Sequence, residues 1–163
     1  MISEINQNTF QFSFRQFGST AYLVKLQDKN ILIDTSSEIN KQELIDNLKQ
    51  LNISPENINI VILTHNHWDH NENLELFNRA EIYDANTIDN LNIPEFKIIK
   101  TPGHTKDSIC ILYKDILFSG DTIFHNEGRG RTDLEGGSES QILESIENLK
   151  TINYKTLCPG HVD

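Results

Sequence analysis

Apolar and polar positions come in short runs through the first third of the chain, the pattern of strands. Residues 10–14, 20–26 and 31–34 read this way, with a hairpin turn at Asp28-Lys29-Asn30 between the last two. The period then lengthens. Over residues 39–51, Leu44, Ile45, Leu48 and Leu51 fall on one face of a helix, and Pro55 follows it. Residues 58–63 form an apolar, β-branched run, the pattern of a buried strand. A short helix is expected over 71–77, then strands over 81–83, 97–100, 108–113 and 116–119. Residues 128–137 read as a loop. Ser138 then opens a helix that runs to Leu149, with Ile142, Leu143, Ile146 and Leu149 as its apolar positions. A last strand covers 156–158. Strands dominate each half and helices are interspersed, so two sheets packed together with helices outside are expected, in a single domain over 1–163.

Composition narrows the function classes. Of 163 residues 37% are hydrophobic, which excludes a disordered or collagen-like chain. The formal net charge is −10. Such a surface repels phosphate backbones, so nucleic acid is not an expected partner. The longest apolar stretch, residues 60–63, is far too short to span a bilayer, and no membrane partner is expected. Met1-Ile2-Ser3-Glu4 offers neither a basic nor an apolar leader region, so no signal peptide and a cytoplasmic location are expected. Cys110 and Cys158 form no CxxC pair and read as two buried free thiols.

The chemistry concentrates in histidine. Three of the six histidines fall in His65-Asn66-His67-Trp68-Asp69-His70, directly after the apolar run. In an extended segment residues i and i+2 point the same way, so His65 and His67 can share one ion. A turn into a helix then brings Asp69 and His70 to a second ion beside the first. Imidazole and carboxylate suit Zn²⁺, and also Fe or Mn. His104, Asp121 and His161 each stand next to a glycine at an expected strand end, where the backbone can turn sharply and project a side chain. Packing does not explain seven such residues in turns after strands. His125 has no matching partner and reads as a surface or structural residue.

The ordered set Thr64-His65-x-His67-x-Asp69-His70, Gly103-His104, Gly120-Asp121 and Gly160-His161 resembles the metal-ligand motifs of the metallo-β-lactamase superfamily. Residues 21–24 and Ile31-Leu32-Ile33-Asp34-Thr35 are similar to the family's opening strands. The resemblance covers nearly the whole chain. It implies an α+β fold, a compact four-layer αββα sandwich with metals at one edge between the sheets. It also implies two divalent ions, zinc first, with iron or manganese as alternatives. His65, His67 and His104 would hold one ion, Asp69, His70 and His161 the other, and Asp121 would bridge. The acid at Asp34 would support the metal loops without binding metal. A narrower likeness runs through residues 120–124, Gly130-Arg131-Thr132-Asp133-Leu134 and Gly136-Gly137, which resemble compact glyoxalase II-like hydrolases acting on thioesters of the hydroxyacylglutathione type. There Arg131 and Asp133 would brace the loop under the metals. Two departures stand out: Asn71-Glu72-Asn73 replaces glycines after the cassette, and Asp34-Thr35-Ser36 replaces Asp-Thr-Gly. The sequence runs two residues past His161, so the extra helical domain of full-length glyoxalase II is not expected and a mobile His161 is.

The expected reaction is hydrolysis of an acyl bond, a thioester or a lactone, by a metal-bridging hydroxide, on a small and possibly anionic substrate. Asp69 and Asp121 are the catalytic candidates, as ligands able to hold the hydroxide. The alternative is a mononuclear iron persulfide dioxygenase using His65, His104 and Asp121. A nuclease of the same superfamily is disfavoured by the acidic balance. Trp68 is expected to pack beneath the cassette, and Arg129 to be a solvated charge.

Overall fold

The structure, a computed structural model, describes residues 1–162. The chain divides into two compact units, Met1–Ile88 and Asp89–Asp163.

The first unit is a six-stranded sheet in the order β1-β2-β3-β4-β5-β6, from β1 (Ile2–Asn6), β2 (Thr9–Phe12), β3 (Ala21–Lys25), β4 (Asn30–Ile33), β5 (Ile60–Ile62) and β6 (Glu81–Tyr83). The first four pair antiparallel, whereas β4, β5 and β6 run parallel. Every residue of β5 is buried, as its unbroken Ile-Val-Ile run requires of a parallel strand covered on both faces. The helix α1 (Lys41–Gln50) packs Leu44 and Leu48 onto Leu23, Leu32 and Val61. Each of these leucines contributes about 1.5–3 kcal/mol by burial. The turn between β3 and β4 closes through Leu26 N–H to Lys29 O at 2.8 Å, two residues earlier than expected, because Asn30 already pairs with Lys25. The strand β1 was not anticipated. Its burial does not alternate and a bulge interrupts its pairing with β2, so it carries no period-two signal.

The second unit is a four-stranded sheet in the order β10-β9-β8-β7. It contains β7 (Phe96–Lys100), β8 (Ile109–Tyr113), β9 (Ile116–Gly120) and β10 (Thr156–Pro159), with α3 (Glu139–Leu149) preceding the last strand. A short helix of the first unit, α2 (Trp68–Asn71), completes the set of α-helices among the described residues. Here β7, β8 and β9 pair antiparallel and β10 joins β9 in parallel. Ser138 caps α3 as its sequence suggested, its hydroxyl accepting from Gln141 N–H. Leu149 packs on Cys110 and Leu117.

One consequence of these topologies positions the chemistry. Where neighbouring strands run parallel, their carboxyl ends lie side by side, and the loops that leave them converge. In the first unit Ile33 pairs with Ile62, so Asp34 emerges beside Leu63 and Thr64. In the second Gly120 pairs with Pro159, so Asp121 emerges beside Gly160 and His161. Because β7 also runs parallel to β9, across β8, the segment leading to His104 leaves from the same end. No helix among the described residues is long and apolar enough to cross a membrane.

Both cysteines are free and buried, as expected. Burial pushes the Cys110 thiol up to about 11 and the Cys158 thiol up to about 12. The thiolate fraction of Cys110 at pH 8 is then on the order of 0.1%. We predict that native protein leaves Ellman's reagent unreacted at pH 8 for minutes, and that two thiols react once urea unfolds it. Prompt reaction of either thiol in the folded protein would contradict this burial.

Candidate metal centre

The ligand candidates fall into two groups, one in each unit. In the first, β5 ends at Ile62, the chain bends at Thr64 and His65, and His67 precedes α2 in an extended conformation. The helix therefore begins at Trp68, three residues earlier than expected, and its single turn carries Asp69 and His70. One ligand nitrogen of His65 lies within 4.8 Å of one on His67 and one on His70, and an Asp69 oxygen lies equally near His70. His65 Nε2 faces His67 Nδ1 at 3.1 Å. Asp69 and His70 are also held through their backbones: Ser19 N–H donates to Asp69 O at 2.8 Å, and Thr35 N–H to His70 O at 2.7 Å.

Asp34 organises this group. It is 1% exposed and sits at φ +57°, in the left-handed region. Its Oδ1 accepts from Thr64 N–H at 2.8 Å, and its Oδ2 from the Thr64 hydroxyl at 2.8 Å. His70 Nδ1 lies 2.8 Å from the same Oδ2. A carboxylate accepts, so the imidazole proton sits on Nδ1 and Nε2 keeps its lone pair. With the Thr64 hydroxyl donating to Asp34, its oxygen accepts from His65 Nδ1 at 3.2 Å. That leaves the Nε2 lone pair of His65 directed at His67. Two ligand tautomers are thus set by one carboxylate, directly and through one hydroxyl.

The second group is built differently. His104 Nδ1 donates to the Arg131 carbonyl at 2.7 Å, again leaving Nε2 as the electron-pair donor. That nitrogen lies 3.5 Å from Asp121 Oδ2, and His161 Nε2 lies 3.5 Å from the same oxygen. Charge-assisted hydrogen bonds settle near 2.7–2.9 Å, so the looser spacing suits donors arranged around a shared cation. Gly130 makes the arrangement possible. A Cβ there would stand 2.2 Å from Asp121 O and 2.7 Å from His104 Nδ1. Gly103 has a similar role one turn away: its φ is +138°, and a Cβ would meet the backbone of Ile142 in α3 at 2.2 Å.

The donors of both groups are imidazole nitrogens and carboxylate oxygens, most of them buried, with His65, His70 and His104 already in ligand tautomers. This chemistry fits zinc, iron or manganese. Thr64, Asn73 and Gly130 also shape these groups; each stood in a quoted motif, but none had been given a role of its own.

Three expectations change. Trp68 does not pack beneath the cassette: it is 54% exposed and its ring meets that of Phe17, itself 66% exposed, at 5.7 Å. As the first residue of a one-turn helix whose next two residues point to the ligand side, it is left facing solvent. Arg131 holds the ligand candidate His104 through its backbone carbonyl, while its guanidinium pairs with Asp133 at the surface and holds that carboxyl down at about 2. Arg129 is not simply solvated, because it pairs with Glu139 at 2.6 Å at the start of α3.

A family model described as "Metallo-beta-lactamase superfamily" matches residues 15–85 and 87–161. A probable metallo-hydrolase of Methanocaldococcus jannaschii is 35% identical over 144 residues, covering 80% of this chain and 70% of the relative. A hydroxyacylglutathione hydrolase of Buchnera aphidicola is 30% identical over 159 residues, covering 86% of this chain and 61% of that protein. Among solved structures, ETHE1 from Myxococcus xanthus matches with a TM-score of 0.73 and 25% identity, over 94% of this chain and 75% of its own. The fold is thus the one that the motifs implied.

Two predictions follow from Asp34 and Trp68. Asp34→Ala removes the acceptor of two buried donors and of the His70 ring, and should cost about 2–4 kcal/mol in urea unfolding. It should also weaken zinc binding by about 10–100-fold in competition with a chelating dye. Trp68 is the sole tryptophan and stands between two ligand candidates. Its emission should therefore be quenched by stoichiometric Co²⁺ and restored by EDTA. Emission indifferent to cobalt in protein that elemental analysis shows to be loaded would place the ion elsewhere.

Proposed function

The chain belongs to the metallo-beta-lactamase superfamily, and from that premise we propose that its two ligand groups serve one dinuclear centre that hydrolyses an acyl bond, a thioester before a lactone. His65, His67 and His104 would hold one ion, Asp69, His70 and His161 the other, with Asp121 shared. The observation that carries this reading is the pair of locked tautomers. Asp34 on His70 and the Arg131 carbonyl on His104 each take the Nδ1 proton, so that Nε2 is free to ligate. Any buried imidazole needs an acceptor for its N–H; these two rings in addition lie among other histidine and carboxylate donors.

Two bound divalent ions would supply a water of near-neutral pKa and polarise an acyl carbonyl. The protein's own contribution is placement. Asp69 and Asp121 are each 8% exposed, so their carboxylates act in a poorly solvated setting, where a hydrogen bond to a reacting water is strong. The buried, weakly acidic thiols of Cys110 and Cys158 are unsuited to act as nucleophiles. The acidic overall charge favours a small substrate over a nucleic acid. The likeness to a hydroxyacylglutathione hydrolase supports the thioester class.

A second reading rests on the likeness to ETHE1: one iron ion held by His65, His104 and Asp121, with persulfide oxidation as the reaction. Metal content per chain separates the two. For the hydrolase, protein purified without chelator should carry close to two zinc equivalents and cleave a panel of thioesters. Asp121→Ala, verified as folded by circular dichroism, should then lose turnover altogether. Full activity in that variant would overturn the bridging assignment. One iron equivalent with oxygen uptake on glutathione persulfide would establish the second reading.

A further inference from the structure

The second unit carries two hollows beside His161 that share a wall. The smaller, about 280 Å³, is lined by His161, Phe124, His125 and Asn126. The larger, about 570 Å³, shares Phe124, His125 and Asn126 and continues to Ile146, Leu149, Tyr154 and Leu157. Its size lies within the range of small-molecule sites, about 300–1,000 Å³. Its floor is apolar. Ile146 and Leu149 come from α3, Leu157 from β10 and Tyr154 from the segment between them. Leu149 is buried, whereas Ile146, Tyr154 and Leu157 keep part of their surface open.

The shared wall is a strained turn. Asn126 and Glu127 are consecutive left-handed residues, at φ 55° and 62°. A glutamate seldom adopts this conformation unless its surroundings impose it, and such strain collects at ligand sites. The turn is closed by Phe124 N–H to Gly128 O at 2.7 Å and by Gly128 N–H to His125 O at 3.1 Å. The Phe124 ring meets the His161 ring edge-on, with centroids 6.0 Å apart. The wall is therefore fixed at one end against a ligand histidine, and at the other it opens onto the apolar floor.

We propose that the larger hollow binds the acyl chain of the substrate. A medium-chain aliphatic acyl group would enter past His161, cross the Phe124 turn and lie on Ile146, Leu149 and Leu157. The inference rests on the acyl-hydrolase reading of the metal centre and narrows it from thioesters in general to those of fatty type. A two-carbon acyl group would leave the floor wet. Each methylene that reaches it is worth up to about three- to fourfold in affinity.

The test uses zinc-loaded protein and two readouts. The first is kcat/KM for acetyl, butyryl and octanoyl thioesters of N-acetylcysteamine. The second is calorimetric binding of octanoate against acetate. The octanoyl thioester should exceed the acetyl by at least about tenfold, allowing for incomplete burial of the chain. Octanoate should bind correspondingly tighter than acetate. Ile146→Trp, which fills the hollow, and Tyr154→Asp, which charges it from outside the helix and strands, should each reduce both ratios about tenfold. Thioester cleavage without chain-length preference would overturn the proposal and leave the hydrolase reading intact. No cleavage, but a preference for octanoate that both variants erase, would overturn the hydrolase reading and with it the substrate role, leaving only an aliphatic-acid site in the hollow. A dimer in sedimentation that octanoate neither binds nor dissociates would assign the floor to a second copy of the chain and overturn the proposal.

Discussion

The Asp34 carboxylate is the interaction on which the first ligand group depends. It ties the end of β4 to the exit of β5 and fixes the proton of His70. Its own backbone is strained at φ +57°, which costs about 1–2 kcal/mol for a residue with a Cβ. Hydrogen bonds to a charged acceptor contribute about 1.5–3 kcal/mol each, and Asp34 makes three. The balance favours the strained conformer by several kcal/mol. It also makes that conformer conditional: without Thr64 and His70 in place, Asp34 keeps its backbone bond to Ile62 O at 3.0 Å but loses every partner of its carboxylate. The scaffold and the ligand group therefore order each other.

The second group obtains the same chemical result by other means. A backbone carbonyl, that of Arg131, takes the part that the carboxylate has on His70, and a glycine supplies the room. The difference follows from the loops. Asp34 lies at the end of a buried parallel strand, where a side chain must reach the neighbouring loop. The segment around Gly130 runs directly against Asp121, where Gly130 N–H donates to Asp121 O at 2.9 Å, and its main chain is already within reach of His104. In both units the parallel strand pair brings the loops together, and a single acceptor then selects the tautomer.

Legibility in the sequence followed the range of the interactions. The cassette at 65–70 and the glycine-flanked His104, Asp121 and His161 were readable because ligand chemistry is written in residue type and local spacing. The core of α1 and the capped start of α3 were readable from periodicity. What escaped was set by contacts distant in sequence. β1 is a strand because β2 is beside it, not because its own residues alternate. Trp68 was misjudged because a large apolar residue is ordinarily buried, and its partner Phe17 lies 51 positions earlier. Arg131 was chosen for its side chain, whereas its carbonyl is what the site uses, and no sequence pattern distinguishes one carbonyl from another.

The two departures from the family motifs show the same dependence at closer range, because they meet in space. Ser36 occupies the position where the motif has glycine, and it takes the glycine conformation, φ +64°. That conformation is costly for serine, and its side chain needs space that glycine would not. Gly18 provides the space: a Cβ there would lie 2.4 Å from Ser36 Oγ. Asn73, in the segment that replaced the glycines after the cassette, provides compensation. Its amide donates to the carbonyls of Thr35 at 2.8 Å, Ser36 at 3.2 Å and Ser37 at 2.8 Å. The Ser36 hydroxyl accepts from Asn40 at 3.1 Å. A glycine adopts such a φ because it lacks a side chain, whereas this loop is held there by polar side chains. Since residues 34–37 carry both Asp34 and the Thr35 contacts to His70, the exchange preserves the support of the ligand group while replacing the residues that provide it.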